Sequence, residues 1–417
     1  MNLTIRNRIE QIKIGQVPEG YKKTALGIFP EDWKSKEIKK TCKINPKSEK
    51  LANTFLYLDL ESVTDGKIIA KNIIDKKNAP SRAQRVLRNG DVIFQMVRPY
   101  QKNNYIYKQQ SSFQVVASTG YAQIRGNCNE FIYQVINSFY FRKQVLKKCT
   151  GTNYPAINSS DFAKTVICQP QSLPEQEKIA KILMLWDKAI DIQEQLLQKL
   201  NLQKKALMQI LLTPKDGWGI LKLNSLVSLI SSGGTPSTSI DEYHNGDIIW
   251  VSIDDITSSG KYLSNSKRKI TKLGLENSSA RIFPQNTVLF AMYASIGACT
   301  IALKECATSQ AILGIVTNEK LYYQYLYYHL LSIQEKIMIQ GQKGTQANLN
   351  KKMVENFKIP LPMVENKAPD INEQKRIANI LSLAGKEIVL HKQKLDKLKK
   401  QRKSLMQLLL TGIVRVV

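Results

Sequence analysis

Asp59, followed by Asp65 and Lys67 around an Asp-Gly pair, sets out the acid plus acid-x-lysine pattern of a metal-dependent nuclease. The same residues have a plainer reading, because Asp-Gly between apolar runs is a strong hairpin signal. A related stretch further along carries Ser252 and Ser258 at the matching positions, so the charged set is not repeated and the hairpin reading is preferred. "TNYPA" (152–156) falls short of the Asn-Pro-Pro-aromatic motif with which amino-methyltransferases hold a flipped base. No GxxxxGK[ST] is present, and "SSGGTPS" (231–237) runs on into polar loop residues instead of a helix, so no phosphate cradle for ATP or another cofactor is expected. Cys42, Cys128, Cys149, Cys168, Cys299 and Cys306 are scattered without a CxxC pair, and His244, His329 and His391 lie far apart without HExxH spacing. Such spacing gives neither a zinc site nor a disulfide framework and points to reduced thiols. No catalytic residue and no metal site is expected in this chain, which reads as a binder.

What it would bind follows from charge. With 61 Lys and Arg against 34 Asp and Glu, the net charge is +27, which calls for a polyanionic partner such as nucleic acid. An anionic membrane competes, but no run of ~18 apolar residues could span a bilayer. Nor does a basic tail adjoin a lipidation motif, and "MNLTIRNRIEQIKIGQ" lacks the apolar core of a signal peptide. No membrane association and a cytoplasmic location are expected. In "MVRPYQKNNYIYK" (96–108), Arg98, Lys102, Asn103 and Asn104 stand among aromatics; Arg suits guanine, Asn suits adenine and Lys suits phosphate. The corresponding "MYASIGACTIA" (292–302) offers Tyr293 and Ser295. Two Gly-Thr loops add Gly151, Thr152 and Asn153, and Lys343, Thr345 and Gln346. The glycine-rich segment adds Gly233, Gly234, Thr235 and Ser237 as backbone amides and small polar groups. Each of these could equally be ordinary solvated loop. "YYQYLYYHL" (322–330) has the spacing of a buried helix face more than of a stacking platform. The lysine-rich 391–403 stretch reads as the outer face of a helix, turned to phosphates or to an acidic partner.

The elements that must carry these residues come as a pair. Sliding residues 174–213 onto 372–411 matches 21 of 40 positions without a gap. Fainter echoes continue upstream: "DVIFQM" (91–96) answers "TVLFAM" (287–292), "NEFIY" (129–133) answers "NEKLY" (318–322), and "PEDW" (30–33) answers "PKDGW" (214–218). Each half therefore runs from a Pro–Trp entry through a strand-rich region and a Gly-Thr loop into a long helix. "FLYLDLESVTDGKIIA" (55–70) and "IIWVSIDDITSSGKYL" (248–263) both read as strand, turn, strand, with unlike side chains. In the first helix Ile179, Leu183, Trp186, Ile190, Leu197, Leu200 and Leu207 recur at steps of four, three or their sum, seven. Ile377, Leu381, Ile388, Leu395, Leu398 and Leu405 keep the same frame in the second. Sustained over about five heptads, that 3.5-residue repeat is a coiled-coil seam. Pro214 ends the first helix and Gly412 is placed to cap the second.

Two variable strand-rich regions alternating with helices opened by "LPEQEKIAKIL" and "INEQKRIANIL", the head start "SGGTPSTS…GDIIWVS" and the closing "LLLTGIVRV" together resemble the specificity subunit of type I restriction-modification enzymes. The likeness covers essentially the whole chain. It implies an α+β chain with two strand-rich α/β target-recognition domains and two long helices packed as an antiparallel coiled coil, with internal pseudo-two-fold symmetry. The implied order is an N-terminal segment (1–25), a first target-recognition domain (26–168), a central spacer helix (169–213), a second target-recognition domain (214–362) and a C-terminal spacer helix (363–417). Each domain would read one half of a bipartite site in double-stranded DNA, and the coil would set their spacing. Two methyltransferase subunits using S-adenosylmethionine would methylate adenine N6, and two translocase–nuclease subunits using ATP and magnesium would complete the restriction enzyme. This chain would hold no cofactor itself. The linker "PLPMVENKAPDINEQ" is longer than "CQPQSLPEQ", and Asn372 stands where the first copy has Pro174, so the second helix start is less sharply marked. The competing readings are a self-contained nuclease or methyltransferase with an unrecognised site, and a coiled-coil adaptor that binds only proteins.

Overall fold

The computed structural model describes residues 3–108, 111–342, 349–365 and 367–416. The chain divides into two compact units, Met1–Glu194 with Gln393–Val417, and Gln195–Lys392. In the first unit an antiparallel sheet runs in the order Tyr105–Ile106, Val92–Gln95, Tyr121–Arg125, Lys43–Ile44. A second sheet runs Asn72–Asp75, Thr54–Leu58, Gln114–Ser118, Ala83–Val86, with its two middle strands parallel. Because successive side chains leave a strand on opposite faces, Val92 and Phe94 enter the larger core while Ile93 enters a smaller one. A two-stranded ribbon, Lys34–Glu37 against Val166–Gln169, leads into the central helix.

The second unit has the same plan with other residues. One sheet orders Cys299–Ala302, Val288–Ala291, Ile312–Thr317, Val227–Ser232, with Tyr262–Leu263 added outside the first of these strands. The other orders Arg268–Ile270, His244–Val251, Cys306–Thr308, Ile282–Phe283, again with a parallel middle pair. Val288 and Phe290 enter the large core and Leu289 the smaller one, as in the first unit. Trp218–Lys222 pairs with Lys358–Val364 ahead of the C-terminal helix. The duplication read from the helices therefore extends to the strand order of both sheets.

The central helix spans Leu173–Leu212 and the C-terminal helix Ile371–Leu410. Pro214 follows the end of the first, and Gly412 (φ 68°) closes the second, its N–H bonded to Leu409 O at 3.2 Å. Within the first unit Ile179 and Leu183 pack in one core with Met406, Leu409 and Leu410. Arg402 bonds Asp187 at 2.8 Å and Lys399 bonds Glu194 at 2.7 Å, so positions rise on one helix as they fall on the other. Within the second unit Leu212 shares a core with Ile377 and Leu381, while Lys204 faces Gly385. The packing is antiparallel in both units. All thirteen expected seam residues are buried or half-buried. Trp186, Ile190, Leu197, Leu200, Leu207, Ile388, Leu395, Leu398 and Leu405 are only half-buried, because a single partner helix covers one side of the seam.

One expectation changes. Residues 248–263 contain a helix, Ile253–Ser259, between strands. Ser252 and Asp255 form a capping box, with Asp255 accepting from the Ser252 N–H at 2.9 Å, and this starts a helix where a turn was expected. The acid plus acid-x-lysine set is dispersed, in agreement with the hairpin reading. Asp59 accepts from the Glu61 and Ser62 N–H groups, whereas Lys67 pairs with Asp191 and Glu194. Asp65 and Gly66 have positive φ in the hairpin turn, as Asp-Gly indicated. The tyrosine-rich run lies on the helix Tyr323–Gln342, with Tyr325 and Tyr328 fully buried.

His329 on that helix is 4% exposed, and burial pushes its imidazole down to about 4, opposed only by a backbone contact at Lys358 and reinforced by the Lys336 charge. The folded imidazole is neutral where the unfolded one, near 6.5, takes a proton. Stability is therefore full above about pH 6.5 and is lost as pH falls toward 4. We expect a loss of about 2 kcal/mol between pH 7.5 and 5, followed by thermal unfolding, that His329→Leu largely removes. An equal pH slope in the variant would exclude His329 as its source.

Candidate nucleic-acid interface

The first candidate site is built by two loops of the first unit. After the strand Val92–Gln95 the chain turns through Arg98 and Lys102, both left-handed at φ 53° and 63°, around a short turn Pro99–Gln101. The Gly-Thr loop is fastened to it: Arg98 N–H donates to Pro155 O at 2.7 Å and Ile157 N–H to Met96 O at 3.0 Å. The Arg98 guanidinium lies over the Tyr154 ring at 4.2 Å from its centroid, and Tyr154 is 62% exposed. Arg98 is half-buried, stacks on this ring and forms no ion pair among the described residues. Thr152, Asn153 and Lys102 are exposed and Asn103 half-buried beside it. The Arg142 charge first, then burial, lower the Lys102 proton affinity, with the Asp65 charge opposing them and Lys403 adding a smaller push. Arg142, half-buried and desolvated, was not legible as a site residue because it lies on another helix, Phe139–Lys147.

Asn104 is not at the surface. It is 1% exposed; its Oδ1 accepts from Gln95 N–H and its Nδ2 donates to Asn137 Oδ1, both at 3.0 Å. With both ends of the amide occupied, it positions the loop and is not itself a reader. Tyr154 is the addition that the loop pairing supplies. Its only sequence signal is the aromatic in "TNYPA", which folding brings under Arg98.

In the second unit the corresponding loop follows the strand Val288–Ala291, with Ala294 left-handed (φ 59°) where the first unit has Arg98. Leu349 N–H donates to Met292 O at 3.2 Å, mirroring Ile157 and Met96. Tyr293 and Ser295 are half-buried on this loop, while Lys343, Thr345 and Gln346 lie outside the described residues. Gly233 and Gly234 are buried, and a Cβ there would stand 2.0 Å from Thr308 O and 2.3 Å from the Ser279 carbonyl carbon. They are glycines because backbone passes against backbone, and they offer no surface for contact. Gly234 O instead accepts the Trp250 indole N–H at 2.9 Å. Thr235 and Ser237 are exposed; Thr235 bonds Gln310 and Ser237 bonds Ser239.

Among the described residues no group of three or more His, Cys, Asp or Glu is gathered to hold a metal, and no helix is long and apolar enough to cross a membrane. Burial raises all six thiol pKa values, Cys42 and Cys306 to about 12, which disfavours the thiolate needed of a nucleophile or ligand.

Comparison with known proteins follows the same two-fold division. The sequence profile of the family described as "Type I restriction modification DNA specificity domain" matches residues 30–202 and again 215–400. The chain is 24% identical over 433 residues to the "Putative type I restriction enzyme MjaX specificity subunit" of Methanocaldococcus jannaschii, covering 95% of this chain and 97% of that protein. It is 32% identical over 172 residues to the "Type I restriction enzyme MjaIX specificity subunit" of the same organism, 40% of this chain and 38% of that protein. Among solved structures, a chain from work on complex assembly and conformational transition of the type I R-M system superposes with TM-score 0.61 at 21% identity, over 93% of this chain and 99% of that one. The type I restriction-modification S subunit of M. genitalium superposes with TM-score 0.56 at 12% identity, over 90% and 96% of the two chains. These two likenesses speak to fold alone. With both copies of the repeat matched across most of its length, this chain belongs to the type I restriction-modification DNA specificity family.

Proposed function

We propose that this chain is the DNA-reading, non-catalytic subunit of a cytoplasmic type I restriction-modification complex. Each head (26–168 and 214–362) reads one half of a bipartite duplex site, and the helix pair sets the distance between half-sites. Two methyltransferase subunits dock on the chain and bring S-adenosylmethionine for adenine N6 methylation. Two translocase–nuclease subunits bring ATP and magnesium. The observation that carries this reading is one scaffold used twice with unlike loops. The two sheets and the loop-to-loop bond recur, but Arg98 over Tyr154 in one copy is answered by Ala294 in the other. A symmetric homodimer reads a palindrome; an internally repeated chain keeps that geometry while its two readers diverge. Arg98 suits a guanine edge, Asn103 an adenine edge or the backbone, and Lys102 with Arg142 the phosphates.

The test is a head exchange. Replacing residues 26–168 with the first head of another family member is expected to change one half of the methylated motif, mapped genome-wide, and leave the other intact. A chimaera that altered both halves would end the claim of independent readers. Methylation or cleavage by the purified chain alone, given S-adenosylmethionine and magnesium, would return the function to the enzyme class. Sequence-blind DNA binding in the full assembly would favour a protein-only adaptor.

A further inference from the structure

The repeat makes it possible to ask what each copy lacks. In the first unit Arg402 is half-buried and bonds Asp187 through Nε at 2.8 Å, and its Nη2 reaches Gln134 at 2.7 Å. Aligning the helices places Lys204 where Arg402 stands, but Gly385 where Asp187 stands. The loss is wider than one residue, since Asp191 and Glu194 are answered by Val389 and Lys392. The cation that pairs with Asp187 has been kept in the second unit, and the carboxylate has not.

What surrounds the gap is built for an anion. Lys204 Nζ lies 5.8 Å from the Tyr328 ring centroid, and Lys261 Nζ lies 4.9 Å from the rings of both Tyr262 and Tyr328. Lys261 also donates to Gln324 Oε1 at 2.7 Å and to Ser382 Oγ at 2.5 Å, which fixes the ammonium group in place. Lys386, next to Gly385, is exposed and adds its charge to Lys261. None of the three lysines enters an ion pair among the described residues; Glu335 is engaged by neighbouring Lys205 at 3.0 Å. Burial first, then the charges of Lys204 and Lys386, bring Lys261 down to about 8, and burial lowers Lys204 as well. Unpaired half-buried cations are costly, and an entering anion relieves that cost.

We propose that Lys204, Lys261 and Lys386 around Gly385 form a receptor for an acidic side chain of a protein partner, in the place that Asp187 fills from within the chain in the first unit. A protein carboxylate fits better than a duplex phosphate. A Cβ at Gly385 would meet Lys204 at ordinary contact distance, and Lys204 and Lys261 are half-buried, whereas phosphates on a wide duplex meet exposed lysines. The inference rests on the functional reading above in taking a methyltransferase subunit as that partner.

Gly385→Asp tests it directly. The Cβ of such a residue would stand 3.5 Å from Lys204 Nζ, an ordinary contact, and Gly385 is not among the positive-φ glycines, so the new carboxylate can occupy the receptor from within. Titrating the cognate methyltransferase subunit into the full chain, we expect the variant to lose at least ~10-fold in affinity at one of two sites. It should saturate at one subunit where the unmodified chain takes two, with a raised Tm and unchanged DNA binding by the free chain. The Lys204→Met/Lys261→Met variant should lose the same site without the gain in Tm. Two subunits bound with unchanged affinity to both variants would overturn the proposal. So would a fall in DNA affinity with assembly unaltered, which would make the occupant a phosphate. An unmodified chain that bound no methyltransferase subunit would overturn the functional reading and this proposal together.

Discussion

Adding one heptad after Leu200 and a matching heptad after Leu398 is expected to lengthen the recognised site by about three unspecified base pairs. Seven residues of helix add ~10.5 Å, and duplex DNA rises about 3.4 Å per base pair. Because the seam repeats every seven residues, the paired insertions return each apolar position to its frame. Ile179 and Leu183 keep Met406, Leu409 and Leu410 in one unit, and Leu212 keeps Ile377 and Leu381 in the other. The half-site sequences should be untouched, since no reading loop changes. The heads should also rotate about the duplex by roughly 100°, a full turn taking ~10.5 base pairs. Four-residue insertions should turn the seam outward and abolish assembly. Mapping methylated adenines reads the result. A heptad variant that stays active on the original spacing would show that the helix pair is not the ruler.

Arg98→Ala is expected to relax preference at one base of the first half-site, at a cost of ~1–3 kcal/mol against the preferred base. The stack under Arg98 adds a second arm. Tyr154→Ala should weaken the same preference by freeing the guanidinium, while Tyr154→Phe should retain it, because the ring face and not the hydroxyl holds the cation. Lys102→Ala should instead weaken all sequences alike and lower the salt slope by about 0.9. Competition binding of the assembled complex against single-base variants, at several salt concentrations, separates these outcomes. An Arg98→Ala complex with an unchanged preference profile would move that residue among the positioning contacts.

Much of the architecture was legible because its causes are local or periodic. The heptad frame from Ile179 to Leu207 and from Ile377 to Leu405 fixes which face of each helix is covered, and a helix carries that period without help from distant residues. Gly412 as a helix cap and Asp65-Gly66 as a hairpin turn follow from backbone preference alone. The helix Ile253–Ser259 was missed although Ser252 and Asp255 advertise it, because the apolar spacing around them suits a strand as well.

Candidate contact residues fared differently, since exposure is a property of what packs nearby. Asn104 has the amide of a base reader, but folding encloses it between Gln95 and Asn137. Gly233 and Gly234 look like an open phosphate loop until Thr308 and Ser279 close on them. Arg98 and Tyr154 are joined only because the strand Val92–Gln95 and the Gly-Thr loop are bonded across Met96 and Ile157.

By itself, then, the sequence determined the duplication, the two seams and the positive charge, all of which are written in spacing and composition. Only the tertiary structure decided which polar groups remain free and which cations are left without a carboxylate. Asp187 and Gly385 are aligned letters until Arg402 and Lys204 are seen against them, because pairing depends on distances across two helices that no local pattern encodes.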